Sequence, residues 1–120
     1  MIPAAQAHRD KATEAWDAYQ ALFANGHFVW AAVALAYSAL HHIDTFIYDR
    51  GMQVGSHGTR QRIFANTPDL TPIASSYDQL YNHSLDARYE IGITYSAGFL
   101  QCLEQNQYDA IRDLIVQLVP

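Results

Sequence analysis

The chain has 120 residues, half of them apolar, with one cysteine (Cys102) and a net charge of −5. This length suits one domain, residues 1–120, and the apolar content excludes intrinsic disorder. A single cysteine excludes an internal disulfide and the multi-thiolate zinc folds. The acidic balance argues against tight sequence-independent nucleic-acid binding, whose affinity comes from neutralised phosphates, and no DNA specificity is expected.

The first helix is expected over Pro3–Ala24. Its apolar positions Ala12, Ala15, Trp16, Tyr19, Leu22 and Phe23 follow the 3–4 spacing of one helical face. Asn25-Gly26 supplies the stop, because both residues tolerate the left-handed conformation. The second helix is expected over His27–Arg50. Its first half is apolar on nearly every side, so other helices must surround it, with Trp30 and Leu35 among the buried residues. The run Phe28–Leu40 ends at His41, His42 and Asp44, short of the roughly 20 apolar residues that a membrane span needs. Met1–Ala7 lacks the basic segment of a secretory signal, so a cytoplasmic location without a membrane partner is expected.

Gly51 ends the second helix, and Ser56 or His57 opens a short third one carrying Arg60, Arg62, Ile63 and Phe64. Asn66-Thr67-Pro68 breaks it. Thr71-Pro72 reads as N-cap and first residue of a fourth helix, with Ile73, Tyr77, Leu80, Tyr81 and Leu85 as its apolar face. Gly92 and Gly98 weaken any helix through Arg88–Gln107, which reads as a loop leading to a helix from about Ser96. The last helix presents Tyr108, Ile111, Leu114, Ile115 and Leu118 on one face. The fold class is therefore all-α, an antiparallel bundle of four to five helices.

Phosphate-binding glycine loops, nucleophile elbows, His-Glu-x-x-His and EF-hand loops are absent from the sequence. His41 with Asp44, and His83 with Asp86, are His-x-x-Asp pairs that would share helix faces, yet the glutamates of helical di-iron sites are missing, and neither metal nor cofactor is expected. From Arg50 to Pro68 there is no acidic residue, while Arg50, His57, Arg60 and Arg62 fall there. With Arg88, this stretch supplies donors for a phosphate or an RNA end. The plainer role for Arg88 is an ion pair with Glu90 or Asp44, and for His57 a helix cap.

Over nearly its whole length the chain resembles the HEPN domains. Ala36-Tyr37-Ser38-Ala39-Leu40-His41-His42 is similar to the family's Ala-Tyr-Tyr-Ala-Leu-Phe-His run. Ser56-His57-Gly58-Thr59-Arg60-Gln61-Arg62-Ile63-Phe64 is similar to its Thr-His segment and the Phe after it. Leu85-Asp86-Ala87-Arg88-Tyr89-Glu90 is similar to the stretch near its fourth helix. The resemblance implies a homodimer, and a nucleotidyltransferase-type protein partner in a toxin–antitoxin pair. Active members are metal-independent ribonucleases with an Arg-x(4–6)-His motif, in which His is the acid or base and Arg steadies the phosphate.

This chain departs from that motif. Arg88 stands near the family's arginine, but Ile93, Thr94 and Tyr95 occupy the positions where His should follow. A literal match is Arg50 with His57, at a helix end and loop. The expectation is a dimeric RNA- or nucleotide-associated binding module, with Arg60, Arg62, Arg88 and His57 binding the anion. The alternatives are a ribonuclease using His57 with Arg50 or Arg88, and a structural assembly subunit. His57 and Arg88 are expected to face one cleft.

Overall fold

Pro3 sets the helical φ at the first position of α1 (Pro3–Ala24), where its missing N–H has no intrahelical partner to lose. The computed structural model describes residues 1–120. After α1, Gly26 takes φ +76° and turns the chain into α2 (Phe28–Asp49); Gly51, at φ +78°, ends that helix in the same way. The remaining elements are α3 (His57–Asn66), a 3-10 turn (Pro68–Ile73), α4 (Ala74–Tyr89), α5 (Ala97–Leu103), a single π turn (Glu104–Tyr108) and α6 (Asp109–Leu118). There is no strand, so the chain is an all-α bundle. No helix is long and apolar enough to cross a membrane.

The second helix is the axis of the bundle. It contributes 13 of the 29 buried residues and packs against α1, α4 and α6. Its small residues Ala31, Ala32, Ala36 and Ala39 are buried and let its neighbours approach closely, while Leu35, Ile43, Phe46 and Ile47 are sealed completely. Trp30 departs from the sequence expectation. It is 59% exposed, on the side of α2 that the exposed Tyr37 continues two turns later, so the apolar start of this helix is not enclosed on every side.

One further correction concerns a helix boundary. Pro72 lies inside the 3-10 turn and α4 starts at Ala74, so Thr71-Pro72 does not open the fourth helix. With prolines at 68 and 72, backbone donors are missing from this segment, and it closes on tighter bonds such as Leu70 N–H to the Thr67 carbonyl (3.0 Å). The helical backbone from Ala97 runs on without a break through the π turn into α6. Ser56, not His57, caps α3, accepting from Thr59 N–H at 3.2 Å.

The π turn delivers Tyr108 into the core, stacked on Trp16 with ring centroids 4.9 Å apart. Ser38 donates to the Ala12 carbonyl (2.7 Å), Ser38 Oγ lies 2.9 Å from the Tyr108 hydroxyl, and His42 Nε2 lies 3.2 Å beyond. His42 Nδ1 is buried without a partner. The arrangement leaving the fewest orphan hydrogens runs from His42 Nε2–H to Tyr108, on to Ser38 and finally to Ala12. Burial, reinforced by Arg9 and Arg112, lowers the His42 pKa to about 4, so the imidazole is neutral at physiological pH and suits this relay.

Leu35→Asp should unfold the domain, since it places an unpaired carboxylate in a sealed core, and Leu35→Ala should cost about 2–5 kcal/mol. Trp30→Asp should leave the domain folded, with the helical circular dichroism of the original protein, because the side chain is exposed within the chain. Unfolding of the Trp30 variant would mean that the exposed side of α2 is covered within the chain.

Candidate anion-binding cleft

A cleft of about 480 Å³ opens between α2, the start of α3 and α4. Tyr37 and His41 face it from α2, His57 and Arg60 from α3, and Tyr77, Tyr81 and Arg88 from α4. The spacings explain the grouping. Tyr77, Tyr81 and Arg88 lie four and seven residues apart on α4, and Tyr37 and His41 lie four apart on α2, so each set forms one ridge.

Arg60 forms the inner wall. Its Nε donates to Asp44 Oδ1 and its Nη2 to Asp44 Oδ2, both at 2.8 Å. The two side chains are only 12% and 2% exposed, so the fork is shielded from water. Burial works against the guanidinium charge, but the bonds and field of Asp44 outweigh it, and the Arg60 pKa lies above its ordinary value. One formal charge of the wall is thus cancelled by another.

Arg88 has no carboxylate partner. Its Nε donates to the Ser84 carbonyl (3.1 Å) and its Nη1 to the Tyr37 hydroxyl (3.2 Å), and the guanidinium lies over the Tyr37 and Tyr89 rings at 5.7 and 5.2 Å. The ion pair with Glu90 or Asp44 envisaged from sequence does not form, because Asp44 is taken by Arg60. Arg88 is therefore the uncompensated cation of the cleft.

His57 is held from two sides. Its ring stacks on Tyr81, with centroids 3.6 Å apart and planes 3° from parallel, and its Nδ1 is 2.7 Å from the Tyr77 hydroxyl. Burial raises the Tyr77 pKa to about 12, so the phenol keeps its proton. His57 is the only hydrogen-bond partner of the Tyr77 hydroxyl, so the phenol proton is directed to His57 Nδ1. Burial also lowers the His57 pKa, favouring the neutral ring. A neutral imidazole accepting at Nδ1 carries its hydrogen on Nε2, so His57 offers a donor and not a base.

The structure brings His57, Arg60 and Arg88 to one cleft and leaves Arg50 and Arg62 outside it. Arg50 is exposed, stacks on Phe46 and lies 3.7 Å from Asp69; Arg62 is exposed and bonds Thr59. The literal Arg50–His57 pattern does not share a site. The two His-x-x-Asp pairs also part company. His83 bonds Tyr95 (3.2 Å), while His41 lies beside His8, a partner 33 residues away that sequence spacing does not reveal. The cleft tyrosines carried one legible signal, the i, i+4 spacing of Tyr77 and Tyr81, which reads equally well as an apolar core face.

Comparison with protein-family models, curated proteins and solved structures returns no match.

Asp44→Asn should cost about 3–5 kcal/mol, because it strands a buried guanidinium. Arg88→Ala should cost well under half of that, since its bonds are local and partly solvated. Urea unfolding of the two variants measures both. Equal costs would mean that Arg60 is not the buried partner.

Proposed function

We propose that this chain is a HEPN-like binding module that takes a single phosphate group of a nucleotide or RNA end in the Arg88 cleft, without the family's ribonuclease chemistry. The observation carrying this reading is Arg88, a guanidinium without a carboxylate partner, at a cleft that also holds a neutral His57 donor and flat tyrosine faces. Arginine forks suit phosphate oxygens, and aromatic faces accept bases irrespective of sequence. The volume is adequate for a small ligand. The His57 tautomer argues against proton abstraction, because a general base needs a free lone pair where His57 carries a hydrogen.

The charge arithmetic limits the ligand. Arg60 is cancelled by Asp44, so one net positive charge remains to meet one phosphate. A nucleoside monophosphate or a 5′-phosphorylated oligonucleotide should bind weakly, with log K falling with log salt by a slope of about 1 or less. Calorimetry at low and moderate salt should show binding lost in Arg88→Ala and unchanged in Arg62→Ala. No binding to the original protein at low salt, or unaltered binding in Arg88→Ala, would overturn the reading. Cleavage of RNA in EDTA that His57→Ala abolishes would replace it with the ribonuclease alternative.

The homodimer implied by the resemblance is part of the same proposal, as is a nucleotidyltransferase-type partner. Trp30 and Tyr37, two turns apart on one side of α2, are exposed, and so are Tyr89, Ile91 and Phe99, which supplies apolar surface for association. Sedimentation at micromolar concentration should give twice the 13.5 kDa chain mass, and Trp30→Asp should shift it toward the monomer while the domain stays folded. A monomer for the original protein would reject the dimer.

A further inference from the structure

Behind the Arg60 wall of the cleft, and sharing Asp44 with it, α1 and α2 bring three metal-ligating groups together. His8 Nδ1 lies 3.1 Å from His41 Nδ1 and 3.9 Å from Asp44 Oδ2, and the three donor atoms all fall within 4.8 Å of one another. We propose that His8, His41 and Asp44 form a binding site for a divalent transition metal of the zinc type, which clasps α1 to α2 at the edge of the cleft. Nothing in this site depends on the function proposed above.

Two of the three edges of this triangle approach those of a zinc site, and the third is no longer than 4.8 Å. Bonds of about 2.0–2.1 Å at tetrahedral angles put neighbouring ligand atoms about 3.3 Å apart. The imidazole edge is already at 3.1 Å, and the His8–carboxylate edge needs to close by only about half an ångström. Two facing nitrogens this close, on different helices, require either one shared proton or one shared cation between them. The His8 ring is held in place by Tyr48 (centroids 4.5 Å apart) and by His41 (5.3 Å).

Arg60 decides which metals fit. It occupies one acceptor position on each Asp44 oxygen, and a carboxylate oxygen retains a second. Its charge also weakens the carboxylate as a donor, so the two imidazoles must supply most of the affinity. That selects metals that favour nitrogen, such as zinc, cobalt and nickel, over magnesium and calcium, which need several oxygens. Three protein ligands would leave the fourth tetrahedral position for water.

Zinc and cobalt chlorides are the probes, with binding followed by calorimetry and by the visible absorption of cobalt. The full chain should bind one equivalent of either metal and gain thermal stability on loading. His8→Ala should lose at least about tenfold in affinity, since even outer partners of metal ligands are worth that much, and should no longer be stabilised by zinc. His41→Gln is the second variant, and circular dichroism reports whether each is folded. Binding in His8→Ala equal to that of the original protein would overturn the site, as would the absence of stoichiometric binding by the original protein. Competition by millimolar magnesium would equally overturn the imidazole-based assignment.

Discussion

The Asp44 carboxylate is the constraint on which the functional side of the molecule depends. It sits in the last third of α2, almost entirely hidden from solvent, where an isolated charge would be prohibitively costly. Arg60 removes the cost with two 2.8 Å bonds, and in doing so ties α3 to the central helix. Without that tie, α3 would hold to the bundle mainly through Phe64, its one buried residue, which stacks on Tyr77.

On the opposite side of α2, a second polar chain does comparable work inside the apolar core. Ser38, His42 and Tyr108 connect α1, α2 and the π turn through bonds that are fully buried. A π turn widens the helix by one residue and commonly marks a position where a side chain must be re-aimed. Here the re-aimed residue is Tyr108, which closes the relay and stacks on Trp16. The central helix is therefore held on one face by an ion pair and on the other by neutral hydrogen bonds. The two faces have different tolerances: the first fails if a charge is stranded, the second if an orphan hydroxyl is left.

This division explains how an acidic chain can carry a local unpaired cation. The net charge is −5, yet the carboxylate nearest the cleft is consumed by Arg60, which leaves Arg88 to act alone. In the proposed function, a single uncompensated arginine would match one phosphate better than a polyanion, and the tyrosines around it would suit a ligand that carries a flat ring beside that phosphate.

Fold class was legible in the sequence because helical periodicity and turn chemistry are local. The bounds of α1 and α2 follow from Pro3, Gly26, Gly51 and an apolar run with small residues, and the structure reproduces them to within a residue. Local signals failed where the backbone is irregular: the 3-10 turn around Pro72 and the π turn before Asp109 have no periodic signature. Candidate residues His57, Arg60 and Arg88 could be named from charge and spacing. Whether each was free or neutralised could not, since Asp44 is 16 residues from Arg60 and equally available on paper to Arg88. The exposure of Trp30 and the meeting of His8 with His41 across 33 residues are likewise consequences of how α1 crosses α2. Composition and periodicity determined that there would be a helical bundle with a basic strip. Only the packing of helices distant in the chain decided which cation was left unpaired, and so where a ligand can bind.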